Sequence, residues 1–362
     1  MPWRMAAASK TSSLLTIKAL PLGCTVTLKL IFGILGKFCC SIFHLTWLVF
    51  QQNPILPSNL NPLGALPFRF RRERVLIVGC GDVGQRVARQ LPSRLKRMAL
   101  TSSAERMPAL RAQGITPLQG NLDDSATLRR LAGLATRVVH LAPPPSDNPD
   151  WRSDPRTLAL LRALRLRSLP YSLVYGSTSG VYGDCQGDWV SETRRVNPDT
   201  PRSQRRVHAE SHLRLFGRAT GTQVHILRIP GIYATDREGG TPRGRLLKGT
   251  SVLRAEDDVY TNHIHADDLA RACLAALWRG KPQRITHASD DTQMKMGDYF
   301  DLAADLYQLP RPPRLPRSTA QEQMPLMLLS FMGESRRLDN QRLKKELKLA
   351  LRYPTVAAGL RA

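Results

Sequence analysis

The chain has 362 residues, enough for one large α/β domain or two smaller ones with a substantial core. Its six cysteines are scattered without C-x-x-C spacing, which excludes a recognisable disulfide framework or zinc site, and we predict no metal centre. The formal charge of +24 comes mostly from arginines spread along the whole chain, so compositional bias explains it better than specific nucleic-acid binding, which needs a clustered basic surface.

The first 72 residues form an N-terminal extension that carries no Asp or Glu. Residues 28–50 are long enough to cross a bilayer, although Lys37 inside them opposes insertion. A membrane anchor and an upstream segment that contributes nothing to the fold are both open alternatives. We therefore expect a cytoplasmic protein that meets a membrane only if residues 28–50 form an anchor. The four prolines of residues 53–68 indicate a linker.

A strand, a glycine-rich turn and a helix follow one another in residues 74–91. The apolar run of residues 75–78 is typical of a strand buried on both faces. Gly79, Gly81 and Gly84 then have G-x-G-x-x-G spacing, which suits a tight turn, a close approach of backbone to a pyrophosphate, and close packing of helix on strand. The helix N-terminus adds free N–H groups for the phosphates, so we predict a dinucleotide site here.

The second strand, residues 97–100, runs into the hydroxyl side chains of Thr101 and Ser102. A ribose-binding carboxylate at this distance from the glycines favours NAD, and no Asp or Glu stands there. The two hydroxyls, with Arg106 nearby, suit a 2′-phosphate better. We therefore predict NADP in preference to NAD, while Arg106 fits a solvated helix residue equally well.

Strands and helices continue to alternate as far as residue 229, which predicts a doubly wound parallel sheet of the Rossmann type, an α/β fold. We assign residues 73–235 to an NAD(P)-binding domain. Residues 236–362 form a mainly substrate-side C-terminal part with some return to the sheet. Hydroxyl side chains cluster at the end of the fifth strand, in the sequence STSGVYGD of residues 177–184, where such sheets bind their ligands.

Between residues 74 and 360 the chain carries, in order, VGCGDVG, GNL, VVHLAP, STSGVYGD, HAE, LRIPGIY and NHIHADDLA. Together these motifs resemble the extended branch of the short-chain dehydrogenase/reductase superfamily, the NAD-dependent epimerase/dehydratase family. The resemblance implies a small-molecule substrate, carbonyl or sugar-like, and a homodimer is compatible with it. The predicted cofactor-binding residues are Gly79, Gly81, Asp82, Val83, Gly84, Thr101, Ser102, Asn121, Leu122, Leu141, Ala142 and Arg206.

In the resembling family, a serine or threonine polarises the substrate, and a tyrosine four residues before a lysine exchanges a proton. The hydroxyl position falls on Thr178. Counting back from Glu210, the lysine position falls on Arg206 and the tyrosine position on Arg202. An arginine cannot shuttle a proton near neutral pH, but Arg206 is able to hold a ribose. Spacing also allows Arg206 to pair with Glu210 along the helix.

A substitute acid would therefore have to come from Tyr182, Tyr233 or His208, and a packing role is open for each of them. We predict Thr178, Tyr182 and Arg206 as the catalytic residues. The function that follows is an NAD(P)-dependent oxidoreductase or epimerase. The alternative is a catalytically impaired NAD(P)-binding sensor or scaffold, which the missing Tyr-Lys pair favours.

Overall fold

The computed structural model describes residues 14–18, 25–29, 73–146, 150–324, 329 and 332–361. Contacts divide the chain into two units, Met1–Ser58 and Asn59–Ala362. In the first unit, strands β1 (Leu14–Lys18) and β2 (Thr25–Lys29) pair antiparallel. Residues 30–50 of the predicted anchor lie outside the described residues. Among the described residues, no helix combines the length and apolar character that crossing a bilayer requires.

The second unit contains the remaining strands and all of the described helices. Its strands are β3 (Arg74–Val78), β4 (Lys96–Thr101), β5 (Thr116–Gln119), β6 (Arg137–His140), β7 (Ser172–Thr178), β8 (Trp189–Val190), β9 (Gln223–Ile229), β10 (Gly231–Tyr233), β11 (Val252–Leu253), β12 (Tyr260–Thr261), β13 (His263–His265), β14 (Arg284–His287), β15 (Met294–Lys295), β16 (Arg314–Leu315) and β17 (Arg337–Leu338). Its α-helices are α1 (Asp82–Gln90), α2 (Arg106–Ala112), α3 (Pro155–Leu164), α4 (Pro201–Thr220), α5 (Arg243–Leu247), α6 (Ala266–Arg279), α7 (Met296–Tyr307), α8 (Arg317–Gln323), α9 (Gln341–Lys345) and α10 (Val356–Leu360). Two 3₁₀-helices span Ser125–Leu131 and Ser179–Tyr182.

Seven strands form one parallel sheet in the order β14-β9-β7-β6-β3-β4-β5. The chain runs outward from β3 through β4 to β5, and then returns to lay β6 on the other side of β3. That reversal opens a crevice beyond the carboxyl ends of β3 and β6, where doubly wound sheets bind ligands. The predicted Rossmann-type fold is confirmed.

Strand β3 shows how the layers assemble. All four residues from Val75 to Val78 are fully buried, and they alternate between two apolar clusters because successive side chains of a strand point to opposite faces. Val75 and Ile77 pack with α1 and α6 on one face. Leu76 and Val78 pack with α3 and α4 on the other. Covering both faces explains the continuous apolar run in the sequence.

The C-terminal part builds a third apolar cluster, in which Tyr233 packs with residues of α7 and α10. It also returns to the sheet, since β14 pairs in parallel with the edge of β9. The division into a domain of residues 73–235 and a part of residues 236–362 stays a prediction.

Candidate functional site

The glycine turn after β3 is shaped by two close backbone approaches. Gly79 has φ +88°, and a Cβ atom there would lie 2.3 Å from the backbone nitrogen of Ala142. The N–H groups of Leu141 and Ala142 donate to the carbonyl oxygen of Val78, at 2.7 and 3.1 Å. A Cβ atom at Gly84 would lie 2.8 Å from the carbonyl oxygen of Gly79. No larger residue fits at either position without backbone movement.

Gly81 differs from the other two glycines because it faces open space. A Cβ atom there would have no neighbour within 4 Å. Gly81 is the N-cap residue of α1, and no side chain caps the helix from this position. The first N–H groups of α1 are therefore available to a ligand at the positive end of the helix dipole.

A cavity of about 320 Å³ lies in front of this turn, and we call it the glycine-turn cavity. It is bounded by the turn itself, by the end of β6 and by the carboxyl end of β7. Eight of the predicted site residues line it: Gly79, Gly81, Asp82, Val83, Gly84, Leu141, Thr178 and Arg206.

Six predicted residues do not line the glycine-turn cavity: Thr101, Ser102, Asn121, Leu122, Ala142 and Tyr182. Thr101 ends β4 and is buried, with its hydroxyl donating to the carbonyl oxygen of Ser103 at 3.2 Å. Asn121 is exposed, and its side-chain oxygen accepts from the N–H of Asp123 at 3.1 Å. Arg106 does reach the turn, because its Nη2 donates to the carbonyl oxygen of Cys80 at 2.7 Å.

Arg206 projects from α4 toward the carboxyl end of β7. Its Nη1 donates to the carbonyl oxygen of Gly176 at 2.8 Å and to the hydroxyl of Tyr175 at 3.0 Å. The guanidinium also lies 5.5 Å from the centre of the Tyr175 ring. These contacts fix a permanent positive charge at the rim of the cavity.

The ion pair between Arg206 and Glu210 that the helical spacing allows does not form. Glu210 binds Arg228 of β9 instead, with Nη2 2.6 Å from Oε2 and Nε 3.1 Å from Oε1. Its Oε1 also accepts from the hydroxyl of Ser177 at 2.6 Å. Glu210 and Arg228 are both buried, and a buried carboxylate is stable only with a full set of partners, so this pairing prevails over one along the helix.

Tyr182 belongs to that buried network and not to the cavity, contrary to its predicted catalytic place. Its hydroxyl accepts from Nη1 of Arg228 at 2.7 Å and lies 2.6 Å from Nε2 of His287. Because Nδ1 of His287 is 2.8 Å from the carbonyl oxygen of Asp339, that nitrogen donates and Nε2 accepts from Tyr182. Burial raises the pKa of Tyr182 to about 12. The geometry therefore gives Tyr182 a packing role.

A second cavity of about 950 Å³ adjoins the first, and we call it the cationic cavity. The two share Thr178, Arg202 and Arg237 in their walls. The basic residues that line the cationic cavity are Arg202, Arg237, Arg245, Lys248 and Arg336. This excess of positive charge suits a substrate that carries phosphate or another anion.

The other two substitute acids are placed differently from Tyr182. His208 lines neither the glycine-turn cavity nor the cationic cavity, and its Nδ1 accepts from the N–H of Asp154 at 3.2 Å. Tyr233 does line the cationic cavity, but its hydroxyl donates to the carbonyl oxygen of Thr355 at 3.2 Å. Burial also raises the pKa of Tyr233 above its ordinary value. His208 therefore lies outside both cavities, and the Tyr233 hydroxyl is bound to the backbone.

Among the described residues that line the cationic cavity, Glu334 is the single carboxylate. Its Oε2 accepts from Nη2 of Arg336 at 2.7 Å. A methyl group on Gly180 would lie 3.5 Å from Oγ1 of Thr178 and 3.7 Å from Oε2 of Glu334, so the two oxygens flank one point of the wall. Sequence reasoning missed Glu334 and Arg336 because they lie in a stretch without a motif. Arg237 was also missed, although it lies close behind LRIPGIY.

Within the described part of the chain, no group of three or more His, Cys, Asp or Glu side chains is arranged to hold a metal ion. His263 and His265 of β13 pack against aromatic rings, those of Tyr299 and Tyr353 respectively.

A parallel sheet with a glycine turn of this geometry at its crevice defines a dinucleotide-binding protein of the Rossmann type. Residues 75–287 match the model of the NAD dependent epimerase/dehydratase family. The chain belongs to this family, and it is an NAD(P)-binding protein.

Solved structures with the same fold cover 80% of this chain and 96% of their own. A functionally unknown conserved protein from Silicibacter pomeroyi DSS is 28% identical, with a TM-score of 0.66. UDP-glucose 4-epimerase from Thermotoga maritima, solved with UDP-glucose, is 18% identical with a TM-score of 0.66. UDP-glucuronic acid 4-epimerase from Bacillus cereus, solved with NAD, is 17% identical with a TM-score of 0.63. At such identities the last two show the shared fold alone.

Among curated proteins, a putative UDP-glucose 4-epimerase of Methanocaldococcus jannaschii is 24% identical over 169 residues. The match covers 43% of this chain and 54% of that protein, so the chain spans about half the length of this curated relative.

Proposed function

We propose that this protein is an NAD(P)-dependent epimerase-like oxidoreductase that acts on an anionic, sugar-like substrate. The observation that carries the proposal is the meeting of the glycine-turn cavity and the cationic cavity at Thr178. A cofactor held at the turn and a substrate held among arginines would share that hydroxyl. The names of the relatives, which refer to UDP-glucose and UDP-glucuronic acid, support a nucleotide sugar as the substrate class.

The residues of the glycine-turn cavity fit a dinucleotide. Gly81 leaves the space in front of the α1 N-terminus clear, and Arg206 presents its charge to the same cavity. Once bound, NAD(P) supplies a nicotinamide ring that exchanges hydride with a carbon of the substrate. Thr101, Ser102 and Arg106, at the end of β4 and the start of α2, support NADP over NAD. We retain three further predicted cofactor-binding residues around the same crevice: Asn121, Leu122 and Ala142.

The backbone N–H of Gly180 orients the Thr178 hydroxyl. Its Oγ1 accepts from the N–H of Gly180 at 3.2 Å, which leaves the hydroxyl hydrogen to be donated to an oxygen on the reacting carbon. Arg202 lies on the same wall at the position that the family gives to tyrosine. Because its charge is permanent, it would stabilise negative charge on that oxygen and not exchange a proton.

The proton would then be exchanged by Glu334, the carboxylate that flanks the same point as Thr178. A carboxylate is able to accept a proton from a sugar hydroxyl as hydride leaves the carbon, and to return it in the reverse step. This assignment replaces Tyr182, which is buried behind the wall.

The second candidate function is a cofactor-binding sensor or scaffold without turnover. The observation that favours it is the pair of arginines, Arg202 and Arg206, at the two positions where the family carries its tyrosine and lysine. A homodimer is compatible with both functions and stays a prediction.

Titration of the full chain with NADH and NADPH, followed by cofactor fluorescence, tests the proposal. We expect saturable binding of both, with NADPH tighter. Incubation with UDP-glucose and oxidised cofactor, with separation of the sugar epimers, then distinguishes the two candidate functions. Epimerisation supports the enzyme, and binding without turnover on a panel of nucleotide sugars supports the sensor. Absence of saturable binding to either dinucleotide would overturn both.

A further inference from the structure

Arg237 lies where the two cavities meet. It belongs to the segment of residues 234–240, which follows β10 and contributes lining residues to both cavities. Its side chain lines both, and it lies next to Asp82 in the first turn of α1. No motif of the sequence marks this residue as a ligand-binding group.

The segment is attached to α1 by a buried arginine. Arg86, only 3% exposed, binds Asp82 of its own helix, with Nε 2.9 Å from Oδ1. Its Nη2 lies 2.5 Å from Oδ1 of Asp236, and its Nη1 lies 2.6 Å from Oδ1 of Asp267 on α6. Because Asp236 precedes Arg237 directly, these ion pairs place the Arg237 guanidinium beside the first turn of α1.

Two polar atoms in this arrangement lack a partner. Nη1 of Arg237 and Oδ2 of Asp82 are both buried without a hydrogen bond among the described residues. Nε of Arg237 is 3.8 Å from Oδ2 of Asp82, which is too long for a hydrogen bond. A guanidinium N–H without a protein partner is free to donate to an acceptor that a ligand supplies.

The charges around the turn favour an anionic ligand. An aspartate in the first turn of α1 would repel phosphate if it stood alone, but Asp82 is held by Arg86 and lies next to Arg237. The positive end of the helix dipole adds to the two guanidinium groups. The unpaired Nη1 is therefore in a position to complete a phosphate site that begins at the backbone of Gly81.

We propose that Arg237 binds the pyrophosphate of the dinucleotide, with Nη1 donating to a phosphate oxygen. This inference rests on the proposed function, since it assumes that the glycine turn holds NAD(P). It adds to the backbone site a side chain from the far side of the crevice, so the segment of residues 234–240 takes part in cofactor binding. Phosphate of a bound substrate is the competing source of the same chemistry, because Arg237 also lines the cationic cavity.

Titration of wild-type protein and the Arg237→Gln variant with NADH, NADPH, ADP-ribose and UDP-glucose tests the inference. We expect about a tenfold loss of affinity for NADH, NADPH and ADP-ribose alike, because all three carry the pyrophosphate and lose one charge-assisted hydrogen bond. Arg237→Lys keeps the positive charge but not the planar donor geometry of the guanidinium group, so it should lose less affinity. Arg243→Gln is the matched control, since Arg243 is exposed on α5 and lines neither cavity.

Unchanged affinity in Arg237→Gln, a loss confined to NADPH, or a loss confined to UDP-glucose would each overturn the inference while leaving cofactor binding in place. Failure of the wild-type protein to bind any dinucleotide would overturn the proposed function, and this inference with it. Should Arg237→Gln fail to fold by circular dichroism, Arg237→Lys decides: wild-type affinity and wild-type salt dependence together would contradict the inference.

Discussion

The ion pair between Glu210 and Arg228 determines the roles of the side chains around it. Both side chains are almost fully buried, and the two-point contact between them satisfies each charge. The i, i+4 spacing in the sequence pointed to Arg206 as the partner of Glu210, because spacing registers only neighbours on one helix. With Glu210 engaged by β9, Arg206 is left to face the cavity.

A substitution at Tyr182 tests the packing role of this residue. In Tyr182→Phe, Nη1 of Arg228 and Nε2 of His287 would lose their partner in the core, so we expect the free energy of unfolding to fall by about 1–3 kcal/mol. The affinity for NADH should not change. Urea denaturation and cofactor titration measure the two effects.

Tyr171→Phe is the matched control, since the Tyr171 ring is 46% exposed and its hydroxyl accepts from Gln223 at the surface. A Tyr182→Phe protein that is as stable as wild type, yet loses turnover on a nucleotide sugar, would restore the catalytic role that the sequence suggested.

At the level of whole elements, local patterns predicted the strands and helices that carry their own signals. The β3-turn-α1 unit was predictable because apolar periodicity, glycines and helix pattern follow one another within a single short stretch. Helix α4 likewise begins where Thr200 and Pro201 indicate, with Thr200 accepting from the N–H of Ser203. Such signals are local, so the sequence of the element itself is enough to predict it.

Other elements depend on distant pairing. Strand β7 continues through Gly176 and Ser177 to Thr178, although residues of these types often form turns. Residues 176–178 pair with residues 227–229 of β9, and this tertiary pairing overrides the turn preference of Gly, Ser and Thr.

The start of α6 shows the same limit. Asp267 and Asp268 are of a residue type that commonly caps helices, but the N-cap is His265, whose Nδ1 accepts from the N–H of Asp267 at 3.2 Å. Asp268 accepts from the N–H groups of Arg352 and Tyr353, at 3.0 and 2.8 Å. Partners so distant along the chain leave no trace in local spacing.

On the scale of the whole molecule, the sequence predicted residues of the glycine-turn cavity and missed most of those that line the cationic cavity. The glycine turn, Thr178 and Arg206 were predictable because each lies in a motif at a strand end or on one helix. Arg237, Glu334 and Arg336 come from segments that only the fold brings together, and no periodicity marks them. The cationic cavity was therefore not predictable from the sequence.

Buried histidines make the stability of the whole molecule depend on pH. Burial lowers the pKa of His140 and His287 to about 3, and that of His225 and His263 to about 4. Below the ordinary histidine pKa of about 6.5, these residues take up protons in the unfolded chain but not in the folded protein. Stability is therefore lost as pH falls from about 6.5 toward 4, by about 1.4 kcal/mol per histidine and pH unit.

Asp290 acts in the opposite direction. Burial raises its pKa to about 8, so the folded protein keeps a proton that the unfolded chain releases above about 4. Four histidines outweigh one aspartate, and we expect a net loss of about 4 kcal/mol per pH unit between about pH 6 and 4.5. Between pH 7 and 8 the sign reverses, and stability should fall as pH rises.

Urea denaturation at pH 5, 6, 7 and 8 measures this profile. Asp290→Asn is the control variant, because it should remove the decline between pH 7 and 8 and keep the acid decline. A flat profile between pH 6 and 5 would show that the buried histidines do not resist protonation.

The central claim is that the backbone at the glycine turn holds a dinucleotide. A substitution at Gly81 tests this claim without disturbing the fold. A methyl group at Gly81 or at Gly244 would meet no protein atom within 4 Å, and Gly244 lines neither cavity. Both Gly81→Ala and Gly244→Ala should therefore melt at the wild-type temperature. Titration with NADH should then show about a tenfold loss of affinity for Gly81→Ala alone, because its methyl group occupies the space of the phosphates. Equal, wild-type affinity in both variants would contradict the claim.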